Sequence, residues 1–100
     1  MIKHIVMWKL EDFADGRIKL ENAKIIKENL EALVGIIPEI VKLEVGIDIL
    51  GTNQSYDVVL VSEFKNLEEL DTYAKHPEHV KVGEFVGKVR KDRVAVDYEF

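Results

Sequence analysis

The chain has no cysteine, so disulfides, thiolate nucleophiles and cysteine-ligated zinc or iron–sulfur centres are excluded. It also lacks a basic excess. Fourteen Lys and Arg against 19 Asp and Glu give a formal charge of -5, whereas a nucleic-acid partner calls for a basic stripe. No stretch approaches the roughly 18 consecutive apolar residues of a membrane span. The opening residues, Met1 to Lys9, combine a short apolar run with no small-residue cleavage site, so they do not read as a signal peptide. A soluble, cytoplasmic protein without membrane or nucleic-acid partners is the expectation. Internal repeats and low-complexity linkers are absent as well.

What is present suffices for one core. A chain of 100 residues, 47% hydrophobic, has the size of a single domain, taken as residues 1–100. Ile2 to Leu10 is apolar on both alternating faces and reads as a strand covered on both sides. Asp15 is a candidate helix cap, and Ala23, Ile26, Leu30, Leu33, Val34 and Ile37 recur at helical steps until Gly35 and Pro38 end the run. Val41 to Ile49 alternates apolar and polar residues, as an edge strand does. Tyr56 to Phe64 is apolar on both faces, as a central strand is. Asn66-Leu67-Glu68-Glu69 resembles a capping box, with Leu67, Leu70 and Ala74 as the expected buried stripe. Pro77 breaks that helix. Val82, Phe85, Val86 and Val89 mark a second piece that closes with Arg90 and Lys91, before a last strand through Val94, Val96, Tyr98 and Phe100.

The order strand, helix, strand, strand, helix, strand predicts an α+β, ferredoxin-like βαββαβ domain with a four-stranded antiparallel sheet. Its helices cover one face of that sheet only. Ile5, Met7, Val59 and Val61 point to the other face, and so large an apolar patch predicts a homodimer with the sheets packed together.

Thr72-Tyr73-Ala74-Lys75-His76-Pro77-Glu78-His79-Val80 is the segment richest in chemistry. Two histidines three residues apart can share a helical face, and imidazole moves protons near neutral pH. Together with Lys3-His4-Ile5-Val6-Met7-Trp8-Lys9 and the Leu33-Val34 to Ile37-Pro38 run, it resembles the stress-responsive α/β-barrel (Dabb) domain family. That resemblance implies a dimeric α/β barrel. The sequence is also distantly similar to plant polyketide cyclases of the olivetolic acid cyclase type, which close a polyketide by aldol condensation without cofactor or metal. There the positions of His79 and Tyr73 act on the substrate and that of His4 lines the cavity. Val58 stands where the cyclase has a further histidine.

Each residue also has a structural reading. His79 is a candidate base or a hydrogen-bonded helix histidine. His76 is a candidate ligand-binding residue or a cap for unpaired carbonyls beside Pro77. His4, Trp8 and Val58 are candidate cavity walls or plain core. His4, His76 and His79 together are three possible zinc ligands, but the spacing across proline lacks the pattern of a zinc helix, and no metal or cofactor is expected. Glu28, Glu31, Glu68, Glu69 and Asp71 read as solvated helix faces. Two functions result: a homodimer that binds a small hydrophobic metabolite in a mostly apolar pocket, or a cofactor-free cyclase-like lyase or isomerase with His79 as base and Tyr73 as oxyanion partner. A related cofactor-independent monooxygenase is a third, resting on fold analogy.

Overall fold

A computed structural model describes residues 1–100. Strand β1 (Ile2–Leu10) leads into a short hairpin, β2 (Phe13–Ala14) and β3 (Arg17–Ile18), followed by helix α1 (Lys19–Ala32) and a 3-10 turn at Leu33–Gly35. Strands β4 (Lys42–Ile47) and β5 (Val58–Phe64), helices α2 (Leu67–Lys75) and α3 (Pro77–Val89), and strand β6 (Arg90–Glu99) complete the chain. The sheet runs β4-β5-β1-β6 with every pair antiparallel, which is the ferredoxin-like order.

Register fixes which side chains share a face, because directly paired residues point the same way. His4 pairs with Ser62 and Asp97, Val6 with Leu60 and Ala95, and Trp8 with Val58 and Arg93, all toward the helices. Val6, Leu10, Leu60 and Phe64 are buried there against Ala23, Ile26 and Leu30 of α1 and Val82, Val86 and Val89 of α3. Ile5, Met7, Val59, Val61, Val94 and Val96 pair among themselves on the opposite face, which no helix covers. Val96 is 54% exposed there.

Several local expectations are corrected. Asp15 does not cap α1: Asp15 and Gly16 both have positive φ (53° and 78°), the geometry of a two-residue hairpin turn between β2 and β3. Asn22 of α1 ties that hairpin down by donating to the Ala14 carbonyl at 3.0 Å. Val34, expected on the α1 stripe, is exposed because the 3-10 turn rotates it outward. Strand β4 is shorter than its alternation suggested, leaving Val41 and Ile49 outside it, Ile49 at 94% exposed. Arg90 and Lys91 begin β6 instead of ending a helix.

Glu31 lies on a partly solvated helix face, yet it is also bonded to the sheet. It accepts from Lys27 at 2.8 Å and from the Val45 N–H at 3.2 Å, while Lys27 donates to the Val45 carbonyl at 2.6 Å. These two side chains satisfy the outward backbone groups of edge strand β4 at Val45, and the Lys27 ammonium holds the Glu31 carboxyl below the usual carboxylate range. Asn66 does cap α2, accepting from the Glu69 N–H at 2.9 Å.

Candidate functional site

A cavity of about 470 Å³ lies between the helix-side face of the sheet and helices α2 and α3. Its floor is His4, Val6 and Trp8 of β1 with Leu60 of β5, and its roof comes from α2 and α3 through Leu70, Tyr73, His79 and Val82. Ten of its 16 lining residues are hydrophobic, so a ligand there meets apolar wall broken by a few polar groups.

Tyr73 and His79 meet because the helix is broken between them. Six residues along one continuous helix would place them about 120° apart around the axis and about 9 Å apart along it. Proline cannot donate its missing N–H and drives the residue before it to extended backbone, so α2 stops at Lys75 and His76 takes φ -61°, ψ 133°. The new helix axis brings the two rings to 4.4 Å between centroids, inclined at 47°. His4 completes the cluster with its ring 6.4 Å from Tyr73, edge-on.

The hydrogen bonds assign the imidazole tautomers. His79 Nδ1 lies 2.9 Å from the Ala74 carbonyl oxygen. A carbonyl only accepts, so Nδ1 carries the proton and Nε2 of the neutral ring holds a lone pair. Burial disfavours the imidazolium and lowers the His79 pKa from the ordinary histidine value. The Ala74 carbonyl opposes that shift, while positive charge at His4, Arg93 and His76 adds to it. At neutral pH His79 is a base. Tyr73 is 1% exposed, burial pushes its pKa far above a normal phenol, and its hydroxyl has no hydrogen-bond partner in the protein. It therefore stays protonated. His4 donates from Nδ1 to the Asp97 carboxylate across the β1–β6 pair.

His79, Tyr73, His4 and Trp8 thus come together on one cavity. Val58 and His76 do not line it. Val58 packs into the core at 2% exposure, and Trp8, its partner on β1, forms the wall at that register. His76 is turned to the start of α3, where its Nδ1 accepts from the Glu78 N–H at 3.1 Å, so it caps a donor and not the carbonyls first considered. The three histidines form no metal-holding group. The expected α2 stripe is also revised: Tyr73 is the buried residue, while Leu67 and Ala74 are exposed and border the cavity.

Sequence reasoning missed Arg90, Arg93 and Asp71 on the cavity wall and Asp97 behind His4. The signal for Arg93 and Asp97 was their alternation with Ala95 on the last strand. Its meaning depended on pairing with β1, more than 80 residues earlier.

The family model for the stress-responsive A/B barrel domain matches residues 2–100. The chain belongs to the Dabb family. Among curated proteins it is similar to the stress-response A/B barrel domain-containing protein DABB1 of Arabidopsis thaliana, 29% identical over 109 residues that cover 98% of this chain and 46% of that protein. This Dabb chain therefore spans under half the length of that curated relative. Among solved structures it is similar to a dimeric protein of unknown function and ferredoxin-like fold from Bacteroides fragilis. The TM-score is 0.88 at 40% identity, covering 99% of this chain and 95% of that one. A hydroxynitrile lyase from Passiflora edulis shares the fold alone, with TM-score 0.78 at 17% identity over 97% of this chain and 90% of that one. No helix of this Dabb domain is long and apolar enough to cross a membrane.

Proposed function

We propose that this Dabb protein is a homodimer, paired through the uncovered sheet face, whose cavity binds a small hydrophobic metabolite. The cavity carries the reading: about 470 Å³ of mostly apolar space, with Tyr73 among its lining residues and the Tyr73 hydroxyl buried without a partner. Burying a hydroxyl without a partner is costly, and a ligand oxygen offers one. The uncovered apolar face and the dimeric relative from Bacteroides fragilis support the pairing. Native mass spectrometry of freshly purified protein tests both parts. A complex of two subunits carrying a small molecule is the expected result; a bare monomer refutes the proposal.

The assigned tautomer of His79 favours a second reading, that the cavity performs cofactor-free proton transfer as a lyase or isomerase. His79 Nε2 takes a proton from carbon next to a ligand carbonyl, and the C–H electron pair becomes the enolate. The Tyr73 hydroxyl donates to the enolate oxygen, and the proton returns from His79 to carbon or to a leaving group. Exchange of the acidic C–H of an alkyl 1,3-diketone with deuterated water, followed by NMR, tests it. Wild-type protein should accelerate exchange and His79→Gln should not; equal rates refute the role of His79. No observation favours the monooxygenase alternative over these.

A further inference from the structure

The chain has three arginines, and only Arg17 forms an ion pair, with Asp15 at 3.0 Å. The other two, Arg90 and Arg93, make no side-chain hydrogen bond or salt bridge, and both line the cavity. Both are exposed to solvent, so each guanidinium is free to meet a ligand that enters the cavity. The nearby carboxylates are already engaged: Asp71 with Lys75 at 2.8 Å and Asp97 with His4. Two guanidinium groups without carboxylate partners therefore border an apolar floor.

Resting on the reading of this cavity as a ligand site, we propose that its ligand is a small organic carboxylate with an apolar body. Its carboxylate lies against Arg93 and Arg90, and its body lies against Trp8, Val82 and Val86. The planar guanidinium presents paired N–H donors that match the two oxygens of a carboxylate. Trp8 and Arg93 are direct cross-strand partners, so an acid held by Arg93 has its chain delivered onto the indole.

A phosphate fits less well. Phosphate sites commonly use the free N–H groups at a helix N-terminus, but at α3 the Glu78 N–H is already taken by the His76 ring.

Trp8 is the only tryptophan, so its fluorescence reports binding. Octanoate, octanamide and octyl phosphate are titrated into wild-type protein and into Arg90→Gln/Arg93→Gln, whose fold is checked by circular dichroism. Octanoate should bind wild type about tenfold more tightly than octanamide, as expected for charge-assisted hydrogen bonds. That preference should narrow as salt rises. In the double variant it should fall to about onefold, octanoate losing more affinity than octanamide because the charge-assisted hydrogen bonds are removed.

Equal wild-type affinities for octanoate and octanamide overturn the inference and leave the ligand-site reading standing. So does a preference that survives the double substitution, or tighter binding of octyl phosphate. Failure of all three probes to bind overturns both. If the double variant does not fold, the salt dependence of the wild-type preference decides alone: a salt-independent ratio overturns the assignment.

Discussion

Replacing Tyr73 by Phe should stabilise the protein while weakening its function. Tyr73 is 1% exposed, its ring packs 4.9 Å from Phe64 and 4.4 Å from His79, and its hydroxyl has no partner. In the unfolded chain that hydroxyl is hydrated, so folding strips it of water and returns nothing. A buried hydroxyl left unpaired costs about 1–3 kcal/mol, and removing it leaves a gap of one oxygen whose lost packing offsets part of the gain. The expected net is about 1 kcal/mol of added stability, or about 4–8 °C in Tm for a domain of this size. Urea and thermal denaturation followed by circular dichroism measure this. Both proteins must be at one protomer concentration, because association contributes to apparent stability. A variant less stable than wild type by about 1 kcal/mol would show that the hydroxyl is satisfied in the folded protein, refuting the argument. The same variant should lose the diketone exchange activity. A gain of stability with a loss of function is expected of a polar group held unpaired for a ligand.

Val59→Asp should dissociate the proposed dimer, because a lone carboxylate would be stranded at a dry sheet interface; light scattering that still reports two subunits would place Val59 elsewhere. His76→Ala should cost about 1 kcal/mol through loss of the α3 cap, and octanoate affinity should stay the same in the Trp8 titration. Stability should also depend on pH at both ends. The lowered His79 pKa means the unfolded chain binds the proton more readily, so stability falls as pH drops below the ordinary histidine value of 6.5. The raised Tyr73 pKa makes the unfolded chain release its proton first, so stability falls as pH rises above the ordinary tyrosine value of 10.0. Urea midpoints measured across pH should show a plateau between these values. Replacing His79 with Gln should flatten the acid limb, and Tyr73→Phe the alkaline one.

The element order was legible because periodicity is local: the two-faced strands β1 and β5, the α1 stripe and the break at Pro77 each declare themselves within about ten residues. Asp15-Gly16 was misread because aspartate serves both helix caps and hairpin turns, and only the positive φ of both residues separates the two. At the site, Tyr73 and His79 were legible as neighbours of one break, although their approach to 4.4 Å depends on the angle the break imposes. Arg93 and Asp97 were not legible. Their place follows from the pairing of β6 with β1, and nothing near them in sequence specifies that register.

The clasp of Lys27 and Glu31 on Val45 bears on how far this protein can assemble. Sheets add strands at their edges, and at β4 the outward amide and carbonyl of Val45 are already bonded to side chains from the protein's own helix. At the other edge, β6 carries six charged residues in ten, three of each sign, whose hydration a further strand would have to displace. Growth sideways into ribbons is therefore disfavoured at both ends of the sheet. The flat face remains, and a molecule has only one, because helices occupy the other. In the proposed dimer, two copies that meet there consume the surface that joined them and leave no second sheet face for another copy.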